Sequence, residues 1–177
     1  DEQITWADMV FVSAMLVQST SAQEVIDRSK AAGKVVVAGG PVFTNMSDRF
    51  RNVDHFIKGE AEVTLSPFLT DLAQGQARAS YSSSLKPELN LTPIPQWDLI
   101  DFNDYAFMLL QYSRGCPWQC DFCDITGMFG RRPRVKSESQ MIAEFQSLYD
   151  HGYRGTVFLV DDNFIGNKLH VKKFLKL

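Results

Sequence analysis

Cys116-Pro-Trp-Gln-Cys120-Asp-Phe-Cys123 places all three cysteines of the chain on one short stretch. Thiolates are soft ligands, and at this spacing they suit an iron–sulfur cluster or zinc. A structural zinc ion needs four protein ligands, and His55, His151 and His170 all lie remote from the cysteines in sequence. Three thiolates can instead wrap three corners of a four-iron cluster and leave one iron open to a substrate or cofactor. A zinc knuckle and three buried free cysteines remain as alternative readings. Clustered cysteines in odd number do not form a disulfide framework, and they point to a reducing compartment, the cytoplasm.

Other residues with chemical capacity lie around this stretch. Gly130-Arg-Arg-Pro-Arg134 follows it, and an arginine there, Arg132 or Arg134, can pair with a carboxylate in two-point fashion or simply pack and be solvated. Asp161-Asp162-Asn163-Phe164 follows an apolar run. Its carboxylates either meet a ligand or cap the next turn. Near the start, Ser13-Ala-Met15 and Gly39-Gly40-Pro41 each follow an apolar run, and glycines let backbone approach a ligand closely.

These residues need elements to hold them. Met9–Ala14 reads as a buried strand, Val35–Ala38 as a second and Val53–Ile57 as a short third. Ser21-Ala-Gln-Glu24 is a capping box opening a helix that carries Val25 and Ile26 and ends before Gly33. A later helix with Phe68, Leu69 and Leu72 inward stops near Gly75. Continuous apolar strands alternating with helices predict an open α/β domain over residues 1–75, its parallel sheet covered on both faces. Ser13 and Gly39-Gly40 then fall at strand carboxyl ends, where such sheets bind ligands. Residues 76–106 change character: Tyr81-Ser-Ser-Ser84 is polar, Pro87, Pro93 and Pro95 interrupt regular structure, and Trp97-Asp98-Leu99-Ile100 is an apolar anchor. This predicts an ordered linker with a domain boundary inside it. A second α/β pattern occupies 107–177. It has a strand Phe107–Tyr112, a long loop Ser113–Val135 and a capping box Ser137-Glu-Ser-Gln140. Its helix shows Met141, Ile142, Phe145, Leu148 and Tyr149 on one face. A strand Thr156–Val160 and a helix from Lys168 follow.

The composition limits the options. The chain has 177 residues, with 45% hydrophobic and 22% charged residues, which is enough apolar material to bury a core. Eighteen Lys and Arg against 21 Asp and Glu give a net charge of −3, which argues against a dedicated nucleic-acid binder. The longest apolar runs fall far short of the ~20 residues that span a bilayer, so no transmembrane segment is expected. The polar, acidic Asp1–Ala7 is not a signal peptide.

The Cys-x3-Cys-x2-Cys spacing, with Phe122 before the last cysteine and Gln111-Tyr-Ser-Arg-Gly115 leading into it, resembles the radical S-adenosylmethionine (radical SAM) enzymes. The resemblance implies that Cys116, Cys120 and Cys123 ligate a [4Fe-4S] cluster whose open iron chelates the amino and carboxylate groups of S-adenosylmethionine. One electron then cleaves the sulfonium to a 5′-deoxyadenosyl radical, which abstracts hydrogen from substrate. It implies further that Phe122 lies near the adenine and that Arg132 or Arg134 serves the carboxylate of S-adenosylmethionine. Asp161 or Asp162 would bind substrate or S-adenosylmethionine at the active site, and residues 107–177 would be the first βα units of a partial TIM barrel. Ser13-Ala-Met15 and Gly39-Gly40-Pro41 are similar to the cobalamin-binding domain upstream of many such barrels. There Ser13, Gly39 and Gly40 would line the nucleotide tail of cobalamin, and residues 1–75 would be the C-terminal part of a Rossmann-like sheet. Gly59-Glu-Ala-Glu62 is similar to a segment of these proteins in which Glu60 or Glu62 helps join the domains. Two departures stand out: Ser-x-Met replaces the usual Ser-x-Leu, and an Asp-x-His-x-x-Gly motif would precede Asp1.

The tract Gly127–Asn163 looks closest to bacterial cobalamin-dependent radical SAM methylases of the hopanoid-methylase type. The chain is thus expected to be a fragment of an enzyme that methylates an unactivated carbon, and to be inactive alone. The alternatives are a nucleotide- or cobalamin-binding module with a structural metal, or an inactive remnant. Expected partners are a small-molecule or lipid-like substrate, a flavodoxin or ferredoxin as electron donor, and a second copy joined through exposed sheet edges.

Overall fold

In the computed structural model, which describes residues 2–176, the chain divides into two compact units, one up to Pro87 and one from Glu88. The first unit is built on strands β1 (Met9–Ser13), β2 (Val35–Gly39), β3 (His55–Lys58) and β4 (Ser80–Ser82). They form one parallel sheet in the order β1-β2-β3-β4. The short helix α1 (Glu2–Trp6) precedes β1, and α2 (Ser19–Ala31), α3 (Pro41–Met46) and α4 (Ala61–Ala73) join the strands.

The apolar run of β2 explains why the sheet is covered on both faces at that strand; the edge strand β1, expected to be buried, is only partly covered, and its Phe11 is exposed. Val36 and Ala38 point to one side and pack with Ile26 of α2 and Phe43 of α3. Val37 points to the other and packs with Ile57, Phe68 of α4 and Tyr81 of β4. Phe43 and Phe68 are fully buried, and burial of such a side chain stabilises a fold by about 1.5–3 kcal/mol. Asp54 ties the sheet to α2. Its carboxylate takes Lys30 Nζ at 2.7 Å and the Val36 N–H at 2.7 Å. Burial raises the Asp54 carboxyl, but Lys30 and the Val36 N–H outweigh it and hold the group below the usual carboxylate range.

The second unit contains β5 (Met108–Leu110), β6 (Ser113–Arg114), α5 (Ile125–Phe129), β7 (Arg134–Val135), α6 (Glu138–Asp150), β8 (Val157–Leu159) and α7 (Lys168–Phe174). Strands β5 and β8 pair in parallel with α6 between them in sequence, and β6 and β7 pair antiparallel. Met108, Leu110, Tyr112, Met141, Leu148, Val171 and Trp97 form the core. On the opposite side of the β5–β8 pair, Leu109 and Phe158 stand opposite each other and are exposed. Lys136 Nζ and the fully buried Glu144 carboxylate pair at 2.6 and 2.8 Å, fixing the end of β7 to α6.

The α/β reading is borne out, and several local details differ from expectation. Helix α2 starts at Ser19, because the 3-10 turn Leu16–Gln18 leads directly into it. Ser21 is therefore inside the helix, its Oγ donating to the Gln18 carbonyl rather than capping Glu24. In α4, Leu65, Phe68 and Leu72 form the inward row and Leu69 is exposed. In α6, Met141 and Leu148 face the core while Ile142 and Tyr149 are exposed. Ser137 does cap α6, accepting from the Gln140 N–H. The Gln140 side chain does not return the bond; it donates to the Leu89 and Thr92 carbonyls and Thr92 Oγ1. Residues 76–106 are divided between the units: β4 joins the first sheet, while Leu89 and Trp97 are buried in the second unit. Among the described residues, no helix is long and apolar enough to cross a membrane.

Candidate functional site

Strand β5 runs straight into the cysteine loop, and the loop is closed at its neck. Strand β6 pairs with β7 through Ser113↔Val135 and Arg114↔Arg134, and the Lys136 N–H adds a bond to the Tyr112 carbonyl. Inside the neck the Cys116 N–H donates to the Gly130 carbonyl, and the Cys123 N–H donates to the Cys120 carbonyl. Gly115 makes the neck tight. Its φ is +99°, and a Cβ there would stand 2.9 Å from the Arg132 carbonyl oxygen and 3.1 Å from that of Gly130, an approach closed to any other residue.

All three cysteines are free thiols. Cys116 and Cys123 are half-buried and Cys120 is exposed. Phe122 is 91% exposed at the tip of the loop. Among the described residues, no three or more His, Cys, Asp or Glu side chains are already drawn together as a metal centre. The donor set itself still favours an iron–sulfur cluster: three soft thiols lie on one loop, and the neighbour of the Cys116 sulfur is the amide of Asn163 rather than a histidine.

Asp161 and Asp162 stand at the carboxyl end of β8 and both reach the root of the loop. Asp161 accepts from the Tyr112 N–H at 2.7 Å, the Ser113 N–H at 3.0 Å and the Ser113 hydroxyl at 2.6 Å. Asp162 accepts from the Gly115 N–H at 2.7 Å. Burial pushes the Asp162 carboxyl above its ordinary range; the Gly115 N–H and Arg114 pull it back, and Asp161 adds repulsion. These carboxylates thus hold loop backbone. The next residues continue the series. Asn163 Nδ2 lies 3.4 Å from Cys116 Sγ, and the Phe164 ring meets that of Tyr112 edge-on at 6.1 Å.

The arginines divide by role. Arg134 is buried, and its guanidinium donates to the Phe129 carbonyl within the loop. The Arg132 side chain is exposed. Arg131 donates to Gln119 Oε1 at 3.2 Å and to the Pro117 carbonyl at 3.3 Å, so it braces the strip carrying the cysteines. Sequence reasoning did not single out Arg131, Ser113, Gly115 or Asn163 as site residues. Their partners are side chains or backbone distant in sequence, and the only hints were that Ser113 and Gly115 lie in the stretch leading into Cys116, Arg131 in Gly130-Arg-Arg-Pro-Arg134, and Asn163 beside Asp161-Asp162.

In the first unit, Ser13, Gly39 and Gly40 are brought together. Ser13 and Gly39 are register partners at the carboxyl ends of β1 and β2. Gly40, with φ +86°, packs so closely on the serine that a Cβ would stand 2.6 Å from Ser13 Oγ. Thr44 supports the turn, its hydroxyl donating to the Gly40 carbonyl and accepting from the Gly59 N–H. The result is a backbone cradle at strand carboxyl ends, where open α/β sheets bind ligands. Glu60 is buried immediately before α4.

No protein-family model matches the chain. Related sequences do. An uncharacterised methyltransferase of Synechocystis is 44% identical over 97% of the chain and 32% of that protein. The hopanoid C-2 methylase of Rhodopseudomonas palustris is 34% identical over 94% of the chain and 32% of its own length. The chain therefore spans about a third of the length of these curated relatives. Among solved structures, the radical S-adenosylmethionine methyltransferase TsrM of Kitasatospora setae, with cobalamin and a [4Fe-4S] cluster bound, superposes with a TM-score of 0.76. It is 17% identical, and the match covers 99% of this chain and 42% of TsrM. The cobalamin-dependent radical enzyme OxsB, with aqua-cobalamin and S-adenosylmethionine bound, gives a TM-score of 0.66 at 16% identity over 93% of this chain and 27% of its own.

Proposed function

We propose that the chain, which is related to methyltransferases and shares its fold with cobalamin-dependent radical SAM methyltransferases, is the cofactor-holding segment of such an enzyme, about a third of its length. Cys116, Cys120 and Cys123 hold a [4Fe-4S] cluster, and Ser13, Gly39 and Gly40 cradle the nucleotide tail of cobalamin. Bound there, the cluster supplies the electron that cleaves S-adenosylmethionine and cobalamin supplies a methyl carrier. This chain's own residues supply position. Asp161 and Asp162 fix the backbone from which Cys116 projects. Arg131 and Arg134 brace the two sides of the loop, the exposed Phe122 presents a ring for adenine, and Arg132 is left to meet a carboxylate. The Gly40 turn lets a ligand tail approach backbone directly.

The observation that carries this reading is the cysteine loop. Three free thiols stand on one loop, rooted from the end of the neighbouring strand, with the Asn163 amide beside the Cys116 sulfur. The substrate belongs to the small-molecule or lipid-like class, as the hopanoid relative supports. A flavodoxin or ferredoxin supplies electrons in a reducing, cytoplasmic compartment. The exposed Leu109–Phe158 pair supports association with a second copy of the isolated chain, which sedimentation tests directly.

The decisive experiment is anaerobic reconstitution with iron and sulfide, followed by metal counting and EPR after reduction, with and without S-adenosylmethionine. About four irons per chain, with an EPR signal altered by S-adenosylmethionine, is the expected result. Zinc, no metal, or iron retained when each cysteine in turn is replaced by alanine would overturn it.

A further inference from the structure

The stretch Asp161–Phe164 grips the root of the cysteine loop residue by residue. Asp161 takes the backbone of Tyr112 and Ser113, and Asp162 that of Gly115. Asn163 takes Cys116, and Phe164 the ring of Tyr112. Within this series one contact differs in kind. The Asn163 side-chain amide donates not to backbone but to a sulfur, Cys116 Sγ, at 3.4 Å.

The backbone that carries this amide is held in place from several sides. It is extended at φ −154° and lies between the anchored Asp162 and the ring of Phe164, which also packs against Phe174 at 6.1 Å. The chain turns back immediately, the Gly166 N–H donating to the Asn163 carbonyl at 3.0 Å. Gly166 gives that turn room. A Cβ there would stand 3.3 Å from Pro117 Cδ, 3.2 Å from Pro133 Cγ and 3.4 Å from Asn163 Cγ. The turn therefore lies directly on the residue after Cys116, which places the Asn163 backbone beside the sulfur.

We propose that Asn163 is a positioning residue that donates an N–H···S hydrogen bond to Cys116 and thereby raises the reduction potential of the cluster this loop carries. The inference rests on the reading of Cys116 as a cluster ligand. Reduction adds negative charge that spreads onto the ligand sulfurs. A fixed donor aimed at one of them stabilises the reduced form more than the oxidised form, and hydrogen bonds to sulfur are among the factors that set such potentials. The other polar side chains at the root, Asp161, Asp162 and Ser113, bind one another or backbone, so Asn163 is the side chain placed to act on the metal centre itself.

The test uses the full chain reconstituted with iron and sulfide, in wild-type, Asn163→Leu and Asn163→Asp forms. Leucine keeps the bulk and removes the donor, while aspartate replaces the donor with a charge. Iron content and the EPR-monitored redox midpoint are read on each. Leucine is expected to keep the iron and to lower the reduced-to-oxidised ratio at a fixed poise by about tenfold, which is 59 mV for a one-electron couple; aspartate lowers it further. A leucine variant loaded like wild type with a ratio changed less than about twofold would overturn the proposal. If the substitutions prevent loading, wild-type chain labelled with 15N-asparagine decides the matter by pulsed EPR. A 15N coupling to the reduced cluster is expected, and its absence overturns the proposal. A wild-type chain that takes up no iron overturns the cluster reading and this inference with it; a loaded chain without the shift or the coupling overturns this inference alone.

Discussion

Replacing Asp161 by asparagine tests whether the end of β8 shapes the cysteine loop. The carboxylate accepts three donors, the Tyr112 N–H on one oxygen and the Ser113 N–H and hydroxyl on the other. Hydrogen bonds to a charged acceptor contribute about 1.5–3 kcal/mol each, against about 1 kcal/mol for neutral ones. Asparagine keeps one acceptor oxygen at reduced strength and turns an NH2 toward a backbone N–H on its other side. A buried donor left without an acceptor costs about 1–3 kcal/mol. Asp161 is half-buried, so water returns part of this, and about 2–3 kcal/mol is the expected net loss. For a unit of this size each kcal/mol moves Tm by about 4–8 °C, so the transition of the second unit should fall by about 8–24 °C. Trp97, buried in that unit, reports the transition by fluorescence. Trypsin should also cut faster after Arg131, the bond after Arg132 being protected by Pro133. A transition unmoved within about 2 °C with unchanged cleavage would refute the idea that this carboxylate holds the loop.

Other perturbations address other parts of the molecule. Gly40→Ala forces a Cβ to within 2.6 Å of Ser13 Oγ at a φ of +86°. It should cost the first unit about 1–3 kcal/mol in urea unfolding and weaken binding of added cobalamin, read by absorbance titration. The depressed Asp54 carboxyl contributes stability that is complete above its unfolded pKa and is lost as pH falls through its lower folded value. Asp54→Asn should therefore flatten the acid limb of the first unit's stability profile below about pH 4 while also lowering its stability at neutral pH. Lys136→Ala leaves the fully buried Glu144 without its ammonium partner and should destabilise the second unit by about 3–5 kcal/mol. Replacing both by Met and Leu should restore most of that in the same unfolding measurement.

What could be read from the sequence divides along physical lines. The β2 strand was legible because Val35–Ala38 is a continuous apolar run, and only a strand buried on both faces needs one. The cysteine spacing was legible because a single loop carries every thiol. The boundaries of helix faces were less so. Leu69 and Ile142 each follow a buried residue by one position, about 100° around the helix, so the apolar pattern alone did not say which of the pair faces inward. At Ser21 the local pattern was satisfied but outweighed, since the turn Leu16–Gln18 had already started the helix. The work of Asp161, Asp162 and Asn163 was hidden for another reason. Their partners lie 47–49 residues away and are mostly backbone groups, which every residue carries and no motif marks.

That separation has a consequence for how the protein is made. When synthesis has passed Cys123, all three thiols are present and the residues that shape their loop are not. Bringing β8 back to β5 closes a span of some fifty residues, which costs about 3–4 kcal/mol of chain entropy before the clamp returns any of it. The cysteine loop is short in sequence, yet it acquires its form as late as a long-range contact does. Before Phe164 has emerged the thiols sit on an unanchored segment; afterwards they sit on a loop tied at its root. The form of the thiol loop is thereby a product of folding of the second unit, whatever the thiols meet before then.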